Sequence, residues 1–206
     1  MKQGSAEWLQ ARVGKVTASR VHDVVGRSKR DQKPLQAYHD YLAELVAERL
    51  TLQTYEHYVN AAMEWGIEQE EFAATAYEVA SGEFVDTIGY VEHPTIDGAG
   101  ASPDRLVGDD GLVEIKCPTT GTHIKTLLSE TIDPKYIAQM QWQMACTGRL
   151  WCDFVSYDPR LPEEYRLFIK RVERDDEYIA DAEAKVREFL DEVSATVEAL
   201  KEKWAA

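Results

Sequence analysis

Residues 101 to 118 read ASPDRLVGDDGLVEIKCP and set Asp104, Glu114 and Lys116 within one short stretch that otherwise has the composition of core. From Gly111 the run GLVEIKC alternates, so a strand puts Leu112, Glu114 and Lys116 on one face and Val113, Ile115 and Cys117 on the other, the core face. Residues 99 to 107 read as a second strand, and Gly108-Asp109-Asp110-Gly111 supplies the glycines and the Asp-Gly pair of a hairpin turn. Asp104 then lies across the hairpin from the Glu114 region. Two carboxylates and an ammonium are thereby brought to one spot, whereas a half-exposed strand would scatter its charges along a solvated face. The same residues can also form only a cross-strand ion pair, worth about 0.2–1 kcal/mol.

Two hard anionic oxygens at a strand edge suit Mg²⁺, with Mn²⁺ as a substitute, because such ions prefer oxygen ligands in octahedral geometry and Mg²⁺ keeps several waters. A lysine beside them suits hydrolysis: its ammonium can hold a metal-bound water, favour its deprotonation or neutralise charge on a phosphoryl oxygen. The spacing Asp-x9-Glu-x-Lys, with Pro103 ahead of it, resembles the reading frame of the PD-(D/E)-x-K nucleases.

Periodicity predicts the elements that must position these residues. Thr17-Ala18-Ser19 is placed to cap a short helix running to Val25, and Gly26 to Pro34 is a basic loop. Leu35 to Leu50 and His57 to Ala80 read as helices, the second carrying WGIEQEEFA and ending at Ser81-Gly82. Strands are expected at roughly 83 to 93, 99 to 107 and 111 to 117. A helix from Pro134 to Thr147 stops at Gly148, strands follow near 151 to 157 and 165 to 172, and a last helix spans 175 to 204. That helix shows Ile179, Ala182, Val186, Phe189, Val193, Val197, Leu200 and Trp204 as one apolar stripe. The order predicts a single α/β domain over residues 1 to 206: a restriction-endonuclease-like core, with a central mixed β-sheet flanked by helices and the charged hairpin at its centre.

Composition limits the choices further. The 206 residues are 44% apolar, enough for a sizeable core, and no run has the length of a membrane span. The first ten residues, MKQGSAEWLQ, hold no hydrophobic signal region, so a soluble, cytoplasmic protein is expected, with no membrane partner. Three cysteines with no Cys-x-x-Cys pair argue against a disulfide framework, a zinc site or a four-cysteine iron–sulfur cluster and read as small core residues. None of His22, His39, His57, His93 and His123 has metal-ligand spacing. The net charge of −14 opposes nucleic-acid binding, but its distribution softens that objection. Arg12 to Lys33 holds seven basic residues against two acids, and Arg174 to the end holds ten acids against five bases. An acidic exterior with a basic N-terminal segment suits an enzyme that draws DNA into a confined channel.

Four segments, WLQARVGKVTAS (8 to 19), WGIEQEEFA (65 to 73), SPDRL with GLVEIKCP (102 to 118) and YIAQMQWQMACTG (136 to 148), followed by YDPR (157 to 160), together resemble the phage lambda exonuclease family, the YqaJ-type viral recombinases. The resemblance implies metal-dependent, processive 5′→3′ digestion of one strand of linear double-stranded DNA in the bacterial host, leaving 3′ tails for recombination. It also implies a ring-shaped homotrimer and a phage single-strand annealing protein as partner. The same fold could instead carry a structure-specific or restriction-type endonuclease, and the acidic charge alone would fit a non-enzymatic DNA mimic.

Carried over by the resemblance, Glu70, Asp104, Glu114 and Lys116 form the catalytic set. Asp104 and Glu114 are expected to hold the metal, with the Ile115 carbonyl as a third ligand and Glu70 serving a second ion or its waters. Arg12 and Ser19 resemble residues that hold a DNA phosphate, and Gln139 an active-site polar residue. Gln143 shares its helix face. An arginine fork at position 12, packed on Trp8 if that segment is helical, would grip a terminal phosphate with two hydrogen bonds. The chain departs from the pattern of lambda exonuclease in being shorter at the N-terminus and in the basic loop 26 to 34.

Overall fold

A computed structural model describes residues 1–55 and 61–205. The chain opens with α1 (Ala6–Arg12), capped by the Ser5 side chain on the Trp8 amide, then β1 (Val16–Thr17), a 3₁₀ turn (Ala18–Arg20), α2 (Val21–Val25) and α3 (Gln36–Thr51). Thr17 makes no side-chain cap; the tight turn starts the helix in its place. The helix expected from His57 is described from Ala61 as α4 (Ala61–Ser81), and residues 57 to 60 lie outside the described residues.

Two expected strands are each divided between sheets. Residues 83 to 93 yield β2 (Val85–Asp86) and β3 (Val91–Glu92), and residues 99 to 107 yield β4 (Ala99–Ala101) and β5 (Arg105–Val107). Pro103 causes the second break: it has no N–H to give a ladder and disfavours a regular course before it. At the first, Gly89 packs so closely on the N-terminal segment that a Cβ would come 2.4 Å from the Met1 carbonyl. The small sheet runs β1-β4-β3.

The five-stranded sheet has the order β2-β5-β6-β7-β8, with β6 (Gly111–Lys116), β7 (Trp151–Tyr157) and β8 (Leu167–Glu173). Only the β6–β7 pair is parallel. Its crossover contains α5 (Thr120–Ser129), which periodicity does not predict, and α6 (Pro134–Thr147), which it does, down to Gly148 as the left-handed cap. The final helix is α7 (Asp176–Trp204), capped by Asp175.

Strand β6 is central and covered on both sides. Val113 and Ile115 pack with Ala73, Ala74 and Tyr77 of α4, while Leu112 packs with Met140 and Met144 of α6. The Leu112 and Glu114 face is therefore as dry as the expected core face. α6 itself lies between two layers, sending Trp142 and Cys146 toward α2, α3 and α7. A helix buried all round must satisfy its polar side chains locally, and Gln141 does so on the Glu173 carbonyl and the Asp175 amide. All three cysteines are free and buried. No helix among the described residues is long and apolar enough to cross a membrane.

Candidate active site

The β5–β6 register pairs Arg105 with Val113, which carries Asp104 to the position opposite Glu114. Asp104 Oδ2 accepts the Ile115 N–H at 2.7 Å, so the carboxylate is fixed by the strand it faces. In a strand the N–H and C=O of one residue point to the same side, and the Ile115 carbonyl thus opens toward the edge where Asp104 stands.

Glu114 is fully buried. Its Oε1 accepts from Gln139 at 2.7 Å and pairs with the Lys116 ammonium, and its Oε2 accepts from Gln143 at 2.6 Å. The two glutamines stand one turn apart on α6, and Tyr136 on the same helix lays its ring 5.1 Å from Lys116 Nζ. Gln139, expected among the substrate-binding residues, is here a holder of Glu114. Gln143 shares that task from a more buried position.

Burial raises the Asp104 carboxyl well above the usual aspartate range, and the charges of Glu114 and Glu70 add to it against the opposing pull of Lys116. Burial alone would lower Lys116, but the Glu114 and Asp104 carboxylates outweigh it and keep the ammonium protonated beyond its ordinary value. Two carboxylates that repel each other across a hairpin are what a divalent cation relieves. Among the described residues no three His, Cys, Asp or Glu side chains converge as a ready cage. Two carboxylates and one carbonyl, with the remaining positions left to water, fit the coordination habits of Mg²⁺.

Glu70 comes from α4 and stands close enough to act on Asp104, but its carboxylate is engaged: Arg105 donates to Glu70 Oε1 at 2.7 Å and to Glu71 Oε1 at 2.6 Å. Arg105 was not among the expected site residues. The available signal was parity, since a charge at this strand position points to the face opposite Asp104, under α4. A cavity of about 730 Å³ opens beside this group, walled by Trp8, Gln3, Ile67, Glu70, Thr87 and Asp104.

Arg12 ends α1 with its guanidinium 3.8 Å from the centre of the Trp8 ring, and its Nε is buried without a hydrogen-bond partner. Trp8 Nε1 in turn donates to Ser102 Oγ at 2.9 Å, tying α1 to the residue two before Asp104. Ser19 is exposed on the 3₁₀ turn, which packs against α6. From the YDPR stretch, Arg160 lies 4.5 Å over the Trp65 ring, pairs with Asp158 and donates to the Pro118 carbonyl at 2.9 Å. It thereby joins α4 to the segment that leaves the charged strand.

A family model for the YqaJ-like viral recombinase domain matches residues 7–150. The structure is similar to that of an alkaline exonuclease, LHK-Exo, from Laribacter hongkongensis, with 52% identity, 98% of each chain covered and a TM-score of 0.90. It is equally similar to that protein's complex with dAMP, at 51% identity, the same coverage and a TM-score of 0.91. A phage-related exonuclease from Haemophilus somnus 129PT shares the fold at 19% identity, with a TM-score of 0.75 over 90% of this chain and 96% of that one. No curated protein matches significantly.

Proposed function

The chain belongs to the family of YqaJ-like viral recombinase domains, and from that premise we propose that it is a Mg²⁺-dependent exonuclease digesting one strand of linear double-stranded DNA from 5′ to 3′. The observation that carries this reading is the meeting of Asp104, Glu114 and Lys116 at one point of the β5–β6 hairpin, in a chain so similar over its length to an alkaline exonuclease.

Asp104, Glu114 and the Ile115 carbonyl would hold the cation, and Glu70 would serve a second. When bound, such ions polarise the scissile phosphate and supply hydroxide near neutral pH. Lys116, kept charged by its carboxylate neighbours, orients the attacking water and offsets charge on the phosphoryl oxygens. Gln139 and Gln143 keep Glu114 in one orientation from the α6 side. Arg12, whose Nε has no hydrogen-bond partner, grips the terminal 5′-phosphate with help from Ser19. The 3′ tail left behind would pass to a phage single-strand annealing protein, and three copies of the chain would close a ring around the duplex.

The test is a linear duplex labelled separately at each 5′ and 3′ end, incubated with and without Mg²⁺ beside a covalently closed circle. The expected result is Mg²⁺-dependent release of the 5′ label first, with the circle intact. Cutting of the circle would favour an endonuclease, and release from the 3′ end would reverse the polarity.

A further inference from the structure

We propose that Arg105 is a resident counter-cation competing for Glu70, so that the second divalent ion is held weakly until substrate phosphate arrives. The inference rests on the reading of Glu70 as a ligand for that ion.

Arg105 follows Asp104 directly, and strand parity sends its side chain to the opposite face, where it is only 5% exposed. Its fork is divided. One arm bonds both Glu70 and the Asp104 carbonyl, each at 2.7 Å, and the other bonds Glu71 at 2.6 Å. A guanidinium this buried needs its acidic partners, and they differ in what they can give: the Glu71 side chain is 79% exposed, the Glu70 side chain 35%. Glu70 is therefore the partner Arg105 depends on more, and it shares with Asp104 both the Arg105 arm that bonds the Asp104 carbonyl and the wall of one cavity.

Charge decides the consequence. Four carboxylates (Glu70, Glu71, Asp104, Glu114) meet two cations (Lys116, Arg105), leaving two negative charges before any metal binds. A first divalent ion suffices to neutralise them. A second must either displace Arg105 from Glu70 or be accompanied by an anion, and a DNA phosphate at the site is such an anion. Arg105 thereby links full loading of the site to the presence of substrate.

Binding of Mn²⁺ to the DNA-free full chain, followed by the paramagnetic resonance of the free ion, tests this without reading activity. Arg105→Gln is expected to bind the weaker Mn²⁺ about tenfold more tightly than wild type, since the competitor is gone. Glu71→Gln, at an exposed position that folding should tolerate, frees both arms of the fork for Glu70 and is expected to bind it more weakly. Glu70→Gln separates the two ideas. If it weakens Mn²⁺ binding while Glu71→Gln and a folded Arg105→Gln leave it unchanged or move it the opposite way, Glu70 is a ligand and the competition is refuted. If Glu70→Gln leaves binding at the wild-type level, the ligand reading itself fails and the proposal with it. Should Arg105→Gln not fold by circular dichroism, Glu71→Gln decides alone.

Discussion

In the proposed site, Glu114 sets the terms of the chemistry at the level of single residues. Its two oxygens offer about four lone-pair sites, and Gln139, Gln143 and Lys116 occupy three of them. A cation therefore meets a carboxylate already oriented, with Asp104 opposite supplying the less committed oxygens. Asp104→Ala and Lys116→Ala are both expected to abolish hydrolysis in a folded protein, but only the first should lose Mg²⁺ affinity, as isothermal titration would show. Near wild-type rates from either would displace the proposed site. Arg12 allows polarity to be separated from chemistry. A charge-assisted phosphate contact of about 1.5–3 kcal/mol corresponds to a roughly ten- to hundredfold rate preference when felt in the transition state. Wild type should thus favour 5′-phosphorylated over 5′-hydroxyl ends, and Arg12→Ala should erase most of that preference without changing Mg²⁺ affinity. Paired initial rates on the two substrates check it; an unchanged preference would pass the role to another group.

Elements were legible in the sequence wherever one local rule governed them. The Asp-Gly hairpin, the glycine stop after α6 and the apolar stripe of α7 each follow from a short-range pattern, and the structure contains the first two and buries the stripe from Ile179 to Val197, while Leu200 and Trp204, expected to continue it, are exposed past the last packing partner. What escaped is tertiary in origin. α5 runs through Thr120-Gly121-Thr122, poor helix formers, and is anchored by His123, buried between Ser156 Oγ at 2.7 Å and the Tyr165 carbonyl at 2.9 Å. The splitting of two strands depends on Pro103 and on the approach of Met1 to Gly89, and Arg105 acquires meaning only once α4 lies over it. The docking of α7 carries a testable pH dependence. His93 stacks on Trp142 at 4.9 Å, accepts the Thr95 amide on Nδ1 at 3.3 Å and turns Nε2 toward Glu183 of α7 at 3.3 Å, with Arg187 nearby. Burial lowers this histidine below its ordinary 6.5, with Glu183 opposing and Arg187 assisting. The folded state then disfavours the proton, so its stability contribution is full above the ordinary value and is lost as pH falls toward the lowered one. Thermal melts at pH 7.5 and 5 should show a loss in wild type that shrinks by a few degrees in His93→Phe; an identical loss in both would assign the acid sensitivity elsewhere.

For the molecule as a whole, the problem is how a chain of net charge −14 holds a polyanion. Charge alone cannot do it, because the residues from Arg174 on carry an excess of five acids that offsets the excess of five bases in Arg12 to Lys33. A closed ring would hold the duplex topologically and ask less of electrostatics, and sedimentation at working concentration is expected to give a trimer mass. A monomer with high processivity would remove that explanation. The attraction that remains should then be local and countable. Lys29, Arg30 and Lys33 are exposed in the loop between α2 and α3, whose backbone is closed by Ser28 N–H on the Lys33 carbonyl and by the Arg27–Pro34 bridge. The loop is shaped by its main chain, so replacing the three side chains by alanine should leave it folded. Each phosphate a basic residue neutralises releases counterions and contributes about 0.9 to the slope of log affinity against log salt. If all three face DNA, the triple variant should bind linear duplex more weakly at low salt, with a slope shallower by about 2.7, and with kcat at saturating DNA unchanged because Asp104, Glu114 and Lys116 are untouched. An unaltered slope would mean that the loop only solubilises the chain, leaving Arg12 as the basic residue proposed to meet the DNA.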